Sequence, residues 1–126
     1  MTGLPDDVHR FIYQHLAAVE QLEVLLLARR SPGRSWSAQD MARELYSHPS
    51  SIAGRFQALR AAGLMRETAS GDFQYAPRSA ELDATVARVE DMYRERRVAV
   101  ISAIASRSVE NMKAFSDAFR IRKKED

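Results

Sequence analysis

Serine, arginine and glutamine side chains gather between positions 50 and 60, and they are the side chains best suited to contact nucleic acid. Arginine and glutamine can each make two parallel hydrogen bonds to a base edge, and serine hydroxyls bind phosphate oxygens. At 100° per residue, Gln57 lies on the outer face of a helix through this segment, flanked by Arg55 and Arg60. With two arginines at the base of a following hairpin, the candidate DNA-binding residues are Ser50, Ser51, Arg55, Gln57, Arg60, Arg66 and Arg78.

A second interpretation treats the same arginines as ordinary solvated residues of a helix surface. The outer face of this helix otherwise holds small side chains, with Gly54, Ala58 and Ala61 near Gln57. The tip of the hairpin, residues 67–72, carries two carboxylates, which oppose phosphate binding. The sequence therefore leaves two functions open, which are DNA reading and contact with a protein partner through the small-residue face.

Motifs for catalysis or metal binding are missing from the sequence. His9 and His15 are six residues apart, so they do not stack as ligands on one helix, and His48 lies in a predicted turn without a partner at metal spacing. There is no cysteine, no glycine-rich phosphate loop and no nucleophile elbow. We therefore predict no enzymatic activity, no metal and no cofactor.

Three helical segments are expected to precede the hairpin and to position the candidate residues, and the first of them is expected to be broken. The first apolar pattern, from Pro5 to the SPGRS segment at 31–35, is long for one helix, and a break is expected at 16–18. Ser37 is expected to cap a short helix of about 38–46, with Asp40 completing a capping box. Pro49 suits the first turn of the third helix, which Gly63 ends.

The period then changes from 3.6 to 2, which predicts strands at 64–68 and 73–76 around Ser70-Gly71-Asp72. Helix, helix-turn-helix and hairpin in this order are the parts of a winged-helix domain. A long helix is predicted from Ser79 to about Ser106, then a break at 106–108 and a short terminal helix. The predicted fold is mostly α (α+β), a winged helix-turn-helix with a small β-hairpin wing, followed by the long and the short terminal helix.

Near-heptad spacing in the last two helices predicts a seam between two helices. Its residues, the candidate homodimer contacts, are Leu82, Val86, Val89, Tyr93, Val100, Ile104, Phe115 and Phe119. Packing back on the first helix of the same chain is the alternative. Arg96 interrupts the seam, and we expect it to pair with a carboxylate such as Glu90 or with a residue of a partner chain.

At this level the chain resembles the winged-helix regulators of bacteria, particularly the multiple-antibiotic-resistance (MarR) type. The segments that carry the resemblance are EQLEVLLLARR, SWSAQDMAREL, SSIAGRFQALRAAGLM and SGDFQYAP. The resemblance implies a winged-helix domain over residues 1–78, including the N-terminal helix. It also implies double-stranded DNA as the partner. From the apolar spacing of the last two helices we expect residues 79–126 to form a helical extension that makes the dimer.

Length and charge limit these expectations. With 126 residues and a net charge of +2, the chain can form one compact domain with a helical extension, and attraction to phosphates must come from locally placed arginines. The longest apolar run, VLLLA at 24–28, is too short to cross a membrane, and the cytoplasm is the expected location. We predict a transcriptional regulator that binds an operator as a homodimer, and the alternative is a winged-helix protein-interaction module.

Overall fold

The computed structural model describes residues 3–107 and 109. Within these residues the chain is mostly helical, as expected, with six helices and one two-stranded antiparallel sheet. In chain order the elements are α1 Asp6–His15, α2 Val19–Arg30, α3 Ala38–Leu45, α4 Pro49–Ala61, β1 Met65–Glu67, β2 Phe73–Tyr75, α5 Ala80–Glu95 and α6, residues 97–107.

The first apolar pattern forms two helices, which confirms the predicted break at 16–18. The axes of α1 and α2 differ by 109°, and Leu16 between them has extended backbone. Gln21 completes the corner: its Nε2 donates to the His15 carbonyl over 2.6 Å, and its Oε1 accepts from the Ala17 N–H over 3.3 Å. Since Gln21 is buried, one side-chain amide links two backbone groups on the two sides of the break.

The next two helices begin and end as the sequence predicts. The Ser37 hydroxyl accepts a hydrogen bond from the Asp40 N–H over 3.0 Å at the start of α3. Pro49 occupies the first turn of α4, and Gly63 follows that helix with a φ of 77°. Tyr46 follows α3 in the left-handed conformation, with a φ of 54°, and is the first of the three residues that lead into α4.

The predicted hairpin is present, and a third segment joins it. Arg66 lies opposite Gln74 in the antiparallel pair, and Gly71 turns the chain with a φ of 88°. Trp36 exchanges two backbone hydrogen bonds with Phe73, of 2.8 and 2.9 Å. The bridge ties the segment before α3 to the sheet, which the sequence did not suggest.

The prediction of one helix from Ser79 to about Ser106 is wrong. α5 ends at Glu95, and Arg96 leaves the helical region with φ −136° and ψ 56°. One helix of that length would run straight for about 40 Å. The break instead turns the chain, so that Val100, Ala103 and Ile104 are buried in the core. The predicted break at 106–108 does not occur at residues 106 and 107, which are helical, and residue 108 lies outside the described residues.

Arg96 does not pair with Glu90, and no ion pair of Arg96 is found among the residues that the structure describes, while pairing with a residue of a partner chain stays a prediction. Glu90 instead pairs with two residues of α2, at 3.2 Å from Arg29 Nη1 and 3.6 Å from Arg30 Nε. The Arg96 side chain is exposed and its guanidinium lies against Gly3, where a Cβ would be 2.6 Å from Nη2. Its charge therefore needs no buried partner.

One apolar core joins both sides of the predicted boundary at 78 and 79. The candidate dimer residues Val86, Val89, Tyr93, Val100 and Ile104 are buried in this core, and α5 packs against α1. Leu82 is partly buried against the same core. Within the described residues, these side chains are therefore buried by packing on their own chain, which was the alternative to a dimer seam. Phe115 and Phe119 lie outside the described residues.

A polar cluster fastens α5 to α2 and β2. Arg29 Nε lies 3.2 Å from Asp83 Oδ1, and the Tyr75 hydroxyl donates to the same carboxylate. The hydrogen bond from Tyr75 lowers the pKa of Asp83, while burial and the adjacent carboxylate raise the pKa of Tyr75.

Within the described residues no single helix is long and apolar enough to span a membrane, although α1 and α2 counted together reach that length and composition.

Candidate nucleic-acid interface

The inner face of α4 holds this helix against the rest of the fold. Ile52, Phe56 and Leu59 are buried, and the helix packs against α2, α3 and β1. The ring of Phe56 stacks on Phe73 of β2 with 4.8 Å between centroids, which fixes the rotation of α4 relative to the hairpin. The side of α4 that faces away from the core is thereby directed to solvent.

The outer face of α4 is exposed from its first turn to its last. Two polar candidates, Ser50 and Gln57, lie on it as predicted, and both are exposed. The remaining exposed positions are alanine or glycine, apart from one proline and one arginine: Pro49, Ala53, Gly54, Ala58, Arg60 and Ala61. Small side chains leave the helix backbone accessible, so another molecule can approach it closely.

Two of the predicted contact residues are engaged within the protein. The Glu20 carboxylate of α2 accepts hydrogen bonds from the hydroxyls of Ser47 and Ser51, and its Oε1 lies 3.0 Å from Arg55 Nε. The two hydroxyl hydrogen bonds, followed by the contact with Arg55, hold the pKa of Glu20 below its ordinary value. The Ser51 hydroxyl and the Arg55 guanidinium are therefore already bonded to a carboxylate of the same chain.

The other predicted arginines divide between two regions. Arg60 is more than half exposed, with Nη1 3.5 Å from Gln57 Oε1 and 3.9 Å from Glu67 Oε2. Arg66 is exposed on β1 and donates to the Gln74 amide. These two arginines therefore lie on the side of the molecule that α4 and the hairpin share.

Arg78 belongs to a separate region. Its side chain covers Gly63, where a Cβ would lie 3.2 Å from Arg78 Cβ. It also lines a hollow of about 210 Å³ with Asp7, His15 and Thr85. Burial first, and then the charges of Arg78 and Arg107, lower the pKa of His15. The structure therefore associates Arg78 with α1 and α5 rather than with the outer face of α4.

Tyr46 is an exposed aromatic residue that the sequence did not single out. Its side chain is 98% exposed, and it lies in the turn that leads into α4. The left-handed conformation costs a residue other than glycine roughly 1–2 kcal/mol. The apolar spacing of α3 ends at Leu45, which was the available signal that Tyr46 points away from the core.

A second hollow, of about 310 Å³, lies between α2, α3 and α5. Leu26, Leu27 and Tyr93 form its apolar part, and Arg30 and Arg97 lie at its border. The guanidinium of Arg97 stacks on the Tyr93 ring at 4.3 Å. Among residues 3–107 and 109, no group of three or more histidine, aspartate or glutamate side chains could hold a metal ion.

Comparisons with models of protein families, with curated proteins and with solved structures give no match for this chain. The geometry of α4, Tyr46 and the hairpin is therefore the basis of the functional assignment.

Proposed function

We propose that this protein is a DNA-binding transcriptional regulator that occupies an operator as a cytoplasmic homodimer. The observation that carries the proposal is the outer face of α4, which is exposed along the whole helix beside the hairpin while its inner face is buried. The succession of α3, turn, α4 and hairpin, with Trp36 bridged to β2, supports a winged helix-turn-helix.

In this proposal α4 enters the major groove. The helix has 13 residues and is about 20 Å long, and its small outer side chains permit a close approach to the bases. Gln57 reads an adenine edge through two hydrogen bonds, and Ser50 contacts a base or phosphate near the start of the helix. Gly54 and Ala58 contribute shape and not hydrogen bonds.

Side chains around α4 hold the phosphate backbone. Arg60 and Arg66 are exposed on the side shared by α4 and the hairpin, and Tyr46 projects from the turn before α4. Their contacts set the orientation of α4 without reading sequence. Ser51 and Arg55 support the interface indirectly, because their bonds to Glu20 fix the start of α4 on α2.

The Gln57→Ala variant tests this assignment. DNA sites are first selected with the wild-type protein from random duplexes, and affinities are then measured by fluorescence anisotropy at fixed salt. Loss of the two hydrogen bonds should weaken binding by about 1–3 kcal/mol and relax the preference at one base pair. Gln39→Ala on α3, which removes another exposed glutamine, is the control and should bind as the wild type does.

Two results would overturn the proposal. One is failure of the wild-type protein to enrich any sequence or to show salt-dependent affinity for duplex DNA. The other is that Gln57→Ala and Gln39→Ala lose the same amount of affinity for every DNA sequence. If α4 reads bases, only Gln57→Ala should lose affinity and base preference.

A protein-interaction module is the second candidate function. It is favoured by the Glu20 cluster, which engages Ser51 and Arg55, and by the carboxylates Glu67 and Asp72 on the hairpin. In that case the small-residue face of α4 packs against a helix of another protein. A Gly54→Glu variant that loses a protein partner, in a chain without DNA affinity, would support this function over DNA binding.

A further inference from the structure

The hollow between α2, α3 and α5 has the size and the apolar surface of a small-molecule site. Leu26, Leu27 and Leu45 supply apolar surface together with the ring of Tyr93, and both Leu26 and Tyr93 are buried. Its volume of about 310 Å³ is at the lower end of the roughly 300–1,000 Å³ of such sites. The hollow therefore has room for a small molecule with one compact apolar group.

Most of the charged side chains around this hollow already have ion-pair partners. Glu90 Oε1 lies 3.2 Å from Arg29 Nη1, and Glu90 Oε2 lies 3.6 Å from Arg30 Nε. Arg94 Nη2 lies 2.7 Å from Asp91 Oδ1. These contacts neutralise three of the charged groups that line the hollow, namely Glu90, Arg30 and Arg94.

The other two charged residues of the lining, Glu23 and Arg97, have opposite signs and act on the same ring. The Arg97 guanidinium stacks on Tyr93, 4.3 Å from the ring centroid. Burial first, and then the negative charge of Glu23, raise the pKa of Tyr93. In the part of the chain that the structure describes, neither Glu23 nor Arg97 makes an ion pair, so both charges are available to a ligand.

Glu90 adds an acceptor that the fold does not use. Its Oε2 is closed off from solvent and accepts no hydrogen bond from any described residue. A buried carboxylate oxygen is stabilised by each hydrogen-bond donor that it gains, and an ammonium group carries several donors. The lining thus offers acceptors for a cationic group and a guanidinium for an anionic group.

We propose that this hollow binds a free amino acid with an apolar side chain. The side chain of the ligand packs on Leu26 and Tyr93, its ammonium group donates to Glu23 and to Glu90 Oε2, and its carboxylate accepts from Arg97. A simple carboxylic acid would leave Glu23 and the buried oxygen without a donor. A simple amine would leave Arg97 without an acceptor.

The hollow is separate from the surface proposed to bind DNA. Among the described residues, α4 and the hairpin contribute nothing to its lining. Leu45, which does line it, is the last residue of α3 and precedes Tyr46. A bound amino acid therefore contacts the helix that leads into α4. An effect of the ligand on operator affinity rests on the proposed function, whereas the binding of the amino acid does not.

Isothermal titration calorimetry of the full chain without DNA tests the proposal. L-leucine, L-methionine and L-phenylalanine are the probes, at concentrations up to about 10 mM, and at least one should bind saturably. For the tightest of the three, the analogue without the amino group and the analogue without the carboxyl group should each bind about tenfold more weakly or worse. No saturable binding, or a smaller loss with either analogue, would contradict the proposal.

Two charge-removing variants identify the hollow as the place of binding. Glu23→Gln and Arg97→Gln change exposed side chains, and each should weaken the binding of the amino acid by about tenfold or more. Glu44→Gln on α3 and Arg10→Gln on α1 remove exposed charges away from the hollow and should bind as the wild type does. Wild-type affinity in Glu23→Gln or Arg97→Gln, or an equal loss in the controls, would exclude this site. A chain that binds the amino acid but no duplex would contradict the proposed function and leave the site intact.

Discussion

Tyr46 combines two features that stability alone does not explain. It adopts a left-handed conformation that glycine adopts without strain, and its side chain is almost wholly exposed. An exposed ring gains little from burial, so the strain is not offset by packing. A contact with DNA in the proposed complex gives this residue a role that glycine could not fill.

We expect the Tyr46→Gly variant to be at least as stable as the wild type but to bind DNA more weakly. Glycine removes the left-handed strain, so the free energy of unfolding should stay equal or rise by about 0.5–1 kcal/mol. Urea unfolding and anisotropy titration measure the two effects. Tyr46→Ala serves as the control, since it loses the ring but keeps the strain. If Tyr46→Gly is less stable than Tyr46→Ala, the strain argument fails.

At the scale of elements, Glu20 is the link between α2 and the start of α4. Its partners lie 27, 31 and 35 positions away in sequence, at Ser47, Ser51 and Arg55. No local spacing predicts such a cluster. Helical periods place Ser51 and Arg55 on the flank of α4, but only the packing of α2 on α4 shows that a carboxylate meets them there.

Replacing Glu20 with glutamine should weaken this link at neutral pH. Loss of the charged acceptor should lower the free energy of unfolding by about 1 kcal/mol at pH 7. Because folding lowers the pKa of Glu20, its contribution is present above its ordinary value of 4.5 and is lost as the pH falls through the folded pKa. The difference in the free energy of unfolding between the wild type and Glu20→Gln should therefore become smaller below pH 4.5.

Urea unfolding over a pH series measures this narrowing. Glu44→Gln on α3, at an exposed position, is the control and should follow the wild-type curve. The free energies of unfolding of the wild type and Glu20→Gln could instead differ by the same amount down to pH 3. That result would show that the shape of the side chain, and not its charge, connects α2 with α4.

For the whole molecule, the charge distribution determines how the proposed regulator should respond to salt. The net charge of +2 gives no strong overall field, so phosphate binding depends on a few arginines. Arg60 and Arg66 in each of two chains would neutralise four phosphates. The logarithm of the affinity should then fall with the logarithm of the salt concentration with a slope of about −4.

Arg60→Ala should reduce the magnitude of this slope by about two units in the dimer, one for each chain. The test is a titration of one selected operator at salt concentrations from about 50 to about 300 mM. Arg10→Ala removes an exposed arginine of α1 and should leave the slope as it is. An unchanged slope in Arg60→Ala would remove this arginine from the interface.

Local rules account for the parts of the fold that the sequence determined by itself. Ser37 caps α3, Pro49 begins α4 and Gly63 follows it, because capping and backbone preferences act within a few residues. The buried face of α4 and the position of the hairpin follow from the hydrophobic period in the same way. These elements were predicted within one or two residues of their ends.

Tertiary packing decided the features that depend on distant residues. The helix that ends at Glu95 has no glycine or proline to mark its end; the turn at Arg96 brings later apolar residues to the core. The same packing buries Val100 and Ile104, leaves Val98 and Ile101 exposed and places Glu20 beside Arg55. A hydrophobic period shows which residues need cover, but only the assembled helices show which neighbour covers them and which residues remain exposed.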